Sequence, residues 1–231
     1  MSTVGSDTSP HEHRFIAAGE RAGVRPSERT EDGRHQRRDR NRIAVVDALL
    51  SLYSDGNLDP SSVEIAERAG LSPRSLFRYF DDVDDLCHEA VMARQRKLLP
   101  LLVIDATPSD PIETRIAGLL RQRAAVFAAM GNTGRVARLR EPFLPVIAVE
   151  LGTARTFLRG QIEKLFMAEL AAMSPAAASA VLMSTDVLCS FEARQLFTGD
   201  QQLAAETVDQ NLTMLLLGLF AVQHSPTGSA S

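Results

Sequence analysis

The chain has 231 residues, of which 45% are hydrophobic and 23% charged. This composition is typical of a folded protein of one or two domains and excludes a chain that is disordered throughout. The formal net charge of −4 excludes a globally basic protein, so any binding to nucleic acid has to use a local basic patch. With 5% aromatic residues and no tryptophan, the composition favours an all-α fold over a β-sandwich or barrel.

The two cysteines, Cys87 and Cys189, lie far apart and form no cluster with histidine. Neither a metal site nor a disulfide framework is therefore expected, which fits a reducing compartment. The longest apolar run, residues 214–222, is much shorter than the roughly 20 residues that span a bilayer, and the polar N-terminus lacks the apolar segment of a signal peptide. We expect a cytoplasmic protein without a membrane partner, a metal or another cofactor.

Residues 1–33 mix Ser, Thr, Gly, Glu and Arg without a sustained period, which predicts a disordered arm. Apolar residues then recur with helical spacing, which predicts a first helix from Arg34 to the break at Gly56. The start of this helix is rich in arginine. We expect it either to neutralise DNA phosphates or to be a solvated first turn. Its arginines are Arg34, Arg37, Arg38, Arg40 and Arg42.

Two short helices separated by a tight turn follow. Ser61 or Ser62 can cap the first helix, and Ser61 with Glu64 has the spacing of a capping box. Gly70 can adopt the positive φ of a turn, after which Ser72 and Pro73 predict a helix that extends to Phe80. Two helices joined in this way form a helix-turn-helix.

The second helix of this pair is the predicted recognition helix. Its outer face carries Arg74, Ser75 and Arg78, which are free to enter a major groove and read bases. A good bidentate pair between arginine and guanine contributes about 1–3 kcal/mol of discrimination. The predicted DNA interface also includes Ser62, Ser72 and Tyr79. Of these residues, Ser62 and Tyr79 are expected to contact phosphates.

Residues 62–80 contain the pattern S-V-x-I-A-x-x-A-G-L-S-x-x-x-L-F-x-Y-F, and Leu86 follows in the next helix. With this pattern the chain resembles the tetracycline-repressor (TetR) family of bacterial transcription regulators over about residues 40–90. The resemblance implies a second helical domain whose last two long helices dimerise and whose middle helices enclose an effector pocket. The chain departs from the family at Phe77, which is often tyrosine, and at Val83, which is commonly lysine and here has aspartates on both sides.

Further helical patterns predict about nine helices in all and no strand. Asp81 or Asp82 caps a fourth helix that runs to about Leu99, before Pro100. Later helices are expected at residues 111–130, 132–140, 146–172, 175–197 and 201–223. The predicted division is a helix-turn-helix domain at residues 34–81, a connecting helix at 82–100, an effector-binding and dimerisation domain at 101–225 and a disordered tail at 226–231.

The final helix is apolar nearly all round after Thr213, and a terminal helix cannot easily hide two apolar faces in one small domain. One face is therefore expected to pack on a second copy of the chain in a homodimer. The predicted interface residues are Leu188, Phe191, Leu212, Leu215, Leu216 and Leu219.

Large apolar residues of the middle helices are candidates for the effector pocket, because such sites are concave and mostly apolar. Core packing is the alternative for each of them. No glycine-rich phosphate loop is present, so a small, largely apolar effector is expected. The candidates, with an arginine and a cysteine as polar contacts, are Phe127, Met130, Phe143, Phe157, Arg123 and Cys189.

Three classes of function compete. The helix-turn-helix favours a DNA-binding transcriptional regulator, and the family resemblance implies a repressor that a small effector releases from its operator. An enzyme is not expected, because no catalytic motif is present and the adjacent Cys87 and His88 point about 100° apart on a helix. A helical protein-interaction scaffold without operator binding is the alternative, supported by the aspartates around Val83 and the lysine that is missing there.

Overall fold

The computed structural model describes the backbone of residues 26–221 and the side chains of residues 35–221. Every regular element in this range is a helix, so the all-α prediction is confirmed, with ten α-helices against about nine expected. The chain divides between residues 39 and 40 into two compact units, which are described separately. Most of the predicted arm and the predicted tail lie outside the described residues.

Helix α1, Pro26–Ser54, begins eight residues before the predicted start at Arg34. Residues 26–33, which the sequence assigns to a disordered arm, are therefore helical. Proline suits the first helical position, because its φ is fixed near the helical value and its missing N–H has no partner there. The helix ends before Gly56, whose φ of +93° closes the turn.

Helices α2, Ser62–Arg68, and α3, Pro73–Leu76, form the predicted helix-turn-helix. Gly70 lies between them with a φ of +68°, as the turn requires. Helix α3 is shorter than predicted: beyond Leu76, the N–H groups of Arg78 and Tyr79 donate three residues back, as in a series of turns. Aromatic residues are weak helix formers, and three of them follow within residues 77–80.

Helix α4, Val83–Leu98, begins at the N-cap Asp82, whose side chain accepts from the N–H of Asp85 at 2.7 Å. A 3₁₀-helix, Leu99–Leu102, contains Pro100 and ends this segment. Helix α5, Ile112–Arg140, has the predicted break at Gly131, where φ is +50° and ψ is −139°.

Two of the remaining predicted helices are interrupted, one at a buried residue and one at a half-buried residue. The predicted helix at residues 146–172 is interrupted at Phe166, which is fully buried and stacks on Phe220. The predicted helix at 175–197 is interrupted at Ser190, whose side chain caps a new helix. The observed elements are α6 Pro145–Leu165, α7 Met167–Ala171, α8 Pro175–Leu188, α9 Phe191–Gln195, a π-helical turn Leu196–Asp200 and α10 Ala205–Ala221.

The apolar side chains of α1–α4 share one core with the last turns of α5 and the first turns of α6. The residues that α5 and α6 contribute are Val136, Ala137, Ile147 and Leu151. A second core joins the first half of α5 to α6, α8 and α10. A small third cluster consists of Leu98, Val126, Phe127 and Phe191. The helix-turn-helix therefore packs directly on the later helices. In the described range, no single helix is long and apolar enough to cross a bilayer. Two consecutive helical segments, Pro175–Leu188 and Phe191–Asp200, together have the length and composition of a membrane span, but the pair is bent at the break between them.

Candidate nucleic-acid interface and ligand cavity

The start of α2 is fixed by the predicted capping box. The Ser61 hydroxyl accepts from the N–H of Glu64 at 3.3 Å, and the Glu64 carboxylate accepts from the N–H of Ser61 at 2.7 Å. The hydrogen bonds from the Ser61 hydroxyl and N–H hold the pKa of Glu64 below its ordinary value. Ser62 is half-buried at the first position of this helix, where it stays a predicted phosphate contact.

Ser72 and Ser75 are hydrogen-bonded to each other at the start of α3. The Ser72 hydroxyl accepts from the N–H of Ser75 at 3.3 Å and lies 2.9 Å from the Ser75 hydroxyl. The predicted base-reading Ser75 therefore lies half-buried inside a helix cap and must exchange this hydrogen bond to contact DNA.

Arg74 and Arg78 are both exposed, and their side chains form no ion pair or hydrogen bond within the described part of the chain. Their backbone is held by Leu76 and Phe80, which are buried in the core shared with α1 and α4. Nearby Arg68 differs, because its guanidinium donates to Asp55 at 2.8 Å and to Ser51 at 2.6 Å. The recognition segment thus presents two unpaired cations on a fixed backbone.

Tyr79 is held by two side chains of α1. Its hydroxyl accepts from the amide of Asn41 at 2.7 Å, and its carbonyl accepts from Arg42 at 2.9 Å. Because the hydroxyl is the acceptor in this hydrogen bond, its O–H group can still donate to a phosphate.

The structure corrects the expectation for Arg42, which the sequence places among the arginines that either neutralise phosphates or are solvated. Besides Tyr79, its guanidinium contacts Glu89 at 2.8 Å and lies 4.6 Å from the ring centroid of Phe80. Arg37, Arg38 and Arg40 are exposed, and their role on DNA stays a prediction. Arg34 has no described side chain.

Three of the four aspartates around Val83 make side-chain contacts within the fold. Asp82 caps α4, and Asp85 accepts from the N–H of Asp81 at 3.3 Å. Asp84 pairs with Arg140 at 3.1 Å, and the same guanidinium pairs with Asp59 at 2.8 Å. Sequence reasoning missed Arg140, because its partners are 56 and 81 positions away and no local pattern marks them.

A cavity of about 330 Å³ lies between α4, the 3₁₀-helix, α5 and α6. Of the predicted pocket residues, Phe127, Met130 and Phe157 line it. Phe143 is exposed elsewhere, and Cys189 is buried in the second core. Arg123 is buried behind the wall and donates to the carbonyl of Leu158 at 2.8 Å. The apolar lining includes Leu98, Leu99, Leu102, Val126, Leu151, Ala154 and Leu158.

The cavity also has a charged end whose cations are neutralised. Arg138 pairs with Glu192 at 2.6 Å, and Arg155 pairs with Glu141 at 2.6 Å. The hydrogen bonds from Arg155 hold the pKa of Glu141 below its ordinary value. These two cations are therefore already compensated by the protein.

An open apolar groove runs between α8 and α10. Its most exposed side chains are Val187, 65% exposed, and Met214, 68% exposed. Of the predicted interface residues, Leu188, Leu215 and Leu219 line this groove. Leu212 and Leu216 instead face the interior, since the strongly apolar α10 has one face in the core and one at the surface. Phe191 of α9 is also buried, in the small third cluster. Sequence reasoning missed Met183, Val187, Met214 and Gly218.

Both cysteines are buried and unpaired, and burial raises the pKa of the Cys189 thiol to about 12. Burial also raises the pKa of the Cys87 thiol, which accepts a hydrogen bond from Tyr53 at 3.6 Å. Among the described residues, no group of three or more metal-ligating side chains could hold a metal ion.

Neither a protein-family profile nor a curated protein sequence matches the chain. Solved structures do match. A TetR-family regulator from Streptomyces coelicolor aligns with a TM-score of 0.60 and 21% identity, over 78% of this chain and 83% of that one. A TetR-family regulator from Marinobacter aquaeolei VT8 aligns with a TM-score of 0.51 and 18% identity, over 79% and 96%. The chain has the TetR-regulator fold.

Within this TetR-regulator fold, both positions at which the sequence departs from the family are described by the structure. Phe77 is half-exposed beside the recognition arginines and lacks the hydroxyl of a tyrosine. Val83 is half-buried in the first turn of α4, where the neighbouring aspartates serve as cap and ion-pair partner. Three of the four aspartates around Val83 therefore use their carboxylates in folding contacts.

Proposed function

We propose that the chain is a cytoplasmic TetR-family transcriptional regulator that binds double-stranded DNA. One observation carries the proposal: Arg74 and Arg78 are exposed and unpaired on a helix-turn-helix whose backbone is fixed by a buried core. Guanidinium groups in this position are suited to bidentate contacts with guanine in the major groove. The TetR-regulator fold supports the same function.

The regulator acts as a homodimer through the groove between α8 and α10. A twofold dimer presents two recognition helices to a pseudo-palindromic operator whose half-sites lie one turn, ~34–36 Å, apart. The exposed apolar side chains of the groove support this arrangement, since a second copy would remove them from water.

The regulator is a repressor that a small, largely apolar effector releases from the operator. The cavity of about 330 Å³ is at the lower end of small-molecule sites, which span about 300–1,000 Å³. Its walls include Leu98 of α4 and Arg138 of α5. Two residues beyond Arg138, Arg140 holds Asp59 and Asp84 beside the helix-turn-helix. Ligand would shift the spacing of the recognition helices through these two elements.

Selection of bound fragments from genomic DNA, followed by gel shift on the chain's own promoter region, tests the proposal. A regulator enriches a small set of fragments that share an inverted repeat, and it shifts them in the presence of excess competitor DNA. No enrichment on any fragment would contradict DNA binding and favour a protein-interaction scaffold.

The arginines at residues 37–40 are proposed to bind phosphates. The slope of log affinity against log salt is negative, and it should become less negative by about 0.9 for every phosphate that the protein no longer neutralises. Replacing Arg37, Arg38 and Arg40 by alanine should therefore flatten the salt dependence of binding to a selected fragment. An unchanged slope would remove these arginines from the interface.

A further inference from the structure

Arg123 is a buried cation without a carboxylate partner. It is 2% exposed, and its guanidinium donates to Gln161 at 2.8 Å, to the carbonyl of Leu158 at 2.8 Å and to Gln122. All three acceptors are neutral amide oxygens. Arg115, the other buried arginine among the described residues, forms two hydrogen bonds with the carboxylate of Glu169.

A polar group beside Arg123 is also unmatched. The amide nitrogen of Gln122, whose oxygen accepts from Arg123, is buried without a hydrogen-bond partner. The charge of half-buried Asp186 raises the pKa of Arg123, but the two residues form no ion pair. Burial lowers the pKa of Arg123 to about 10, so the charge is retained at neutral pH at an energetic cost.

This polar cluster lies directly behind the wall of the ligand cavity. The Leu158 carbonyl that accepts from Arg123 belongs to a residue that lines the cavity. Gln161 donates at 2.6 Å to the carbonyl of Leu102, which also lines it. On α5, Phe127 follows Arg123 by one turn on the same helix face and forms part of the wall.

Building on the proposed effector site, we propose that the effector is an amphipathic anion whose head group binds Arg123 and whose apolar body fills the cavity. The head group displaces Gln161 from the guanidinium and supplies the missing negative charge. Hydrogen bonds to a charged group in a desolvated site are stronger than those between neutral groups, so an anion is selected over a neutral analogue. The cations Arg138 and Arg155 do not select an anion, because Glu192 and Glu141 already neutralise them.

Binding of octanoate, 1-octanol and octylammonium to the full chain, measured by calorimetry at pH 7.5, tests this assignment. Octanoate should bind at least about tenfold more tightly than octanol, because hydrogen bonds to charged groups contribute about 1.5–3 kcal/mol. Octylammonium should bind more weakly than either. Equal affinity for octanoate and octanol, or tighter binding of octylammonium, would overturn the proposal.

Substitution of the arginine locates the head group. Arg123→Met should weaken octanoate binding by about tenfold or more and leave octanol binding unchanged, whereas Arg121→Met, an exposed site on the same helix, should change neither. If Arg123→Met and Arg121→Met change the affinity for octanoate equally, the assignment is contradicted. If Arg123→Met does not fold, Arg123→Lys keeps the charge and should retain the preference for octanoate over octanol.

These outcomes are separate from those of the DNA experiment. Enrichment of specific DNA fragments without a preference for octanoate would leave the regulator standing and reject the anionic effector. A preference for octanoate that depends on Arg123, without any enriched fragment, would support the ligand site and reject the regulator.

Discussion

At the residue scale, Arg42 of α1 contacts both the segment that follows α3 and helix α4. Its guanidinium donates to the Tyr79 carbonyl, pairs with Glu89 of α4 and lies over the Phe80 ring. The Tyr79 carbonyl accepts from no backbone N–H in the described range, so this guanidinium satisfies it. Arg42 therefore stabilises the end of the recognition segment.

Replacing Arg42 by methionine should lower the free energy of unfolding by about 1–2 kcal/mol, since it removes a hydrogen bond from a charged group and a cation–π interaction at a partly exposed site. Urea denaturation followed by circular dichroism measures the change. The matched variant Arg78→Met removes an exposed, unpaired arginine and should change stability by less than about 0.5 kcal/mol. Equal effects of the two substitutions would contradict this role of Arg42.

At the scale of elements, Gly131 is the kink in α5, with a cavity-lining residue on one side and a contact to the end of α1 on the other. Met130 lines the cavity, whereas Asn132 donates to the carbonyl of Tyr53 at the end of α1 at 2.8 Å. The backbone at Gly131, with φ +50° and ψ −139°, is one that residues with a Cβ rarely adopt.

Gly131→Ala should destabilise the fold by about 1–3 kcal/mol through backbone strain alone, because no atom lies within 4 Å of an added Cβ. Gly152→Ala is the matched control in α6, where space is also open and φ is not positive. It should stabilise the fold by about 0.5–1 kcal/mol. Thermal unfolding of both variants measures whether each substitution raises or lowers the stability of the fold. A stabilised Gly131→Ala protein would show that the kink is not required.

The elements that the sequence predicts well are those with local signals. Ser61 with Glu64, Ser72 with Pro73, and Gly70 mark their helix ends within a few residues, and the structure has each of them. The breaks at Phe166 and Ser190 were missed, because tertiary packing of a phenylalanine and an isolated serine cap leave little trace in an apolar periodic pattern.

The candidate site was predictable to a similar extent. Exposure of Arg74 and Arg78 follows from the helix-turn-helix pattern, which is local. The pairing of Arg42 with Glu89 and of Arg140 with Asp84 depends on the packing of distant segments. The apolar character of the middle helices marked Phe127, Met130 and Phe157 as pocket candidates, but it could not separate the cavity wall from the core in which Cys189 lies.

On the scale of the whole molecule, the proposed homodimer depends on the apolar groove between α8 and α10. Light scattering should find a dimer at micromolar concentration. The double variant Val187→Glu/Met214→Glu places two charges in the apolar groove and should produce a folded monomer. Val149→Glu is the matched control, since Val149 is 66% exposed on α6, outside the groove. A monomeric wild-type protein, or a dimer that survives both groove charges, would contradict this interface.

The central claim is that Arg74 and Arg78 read bases, and it is tested most directly by fluorescence anisotropy with a selected DNA fragment and a shuffled one. Alanine at either arginine should reduce the ratio of specific to non-specific affinity by about 5- to 150-fold, the equivalent of about 1–3 kcal/mol. Arg68→Ala, which removes an arginine paired with Asp55, should leave that ratio unchanged. An unchanged ratio after loss of both Arg74 and Arg78 would contradict the account.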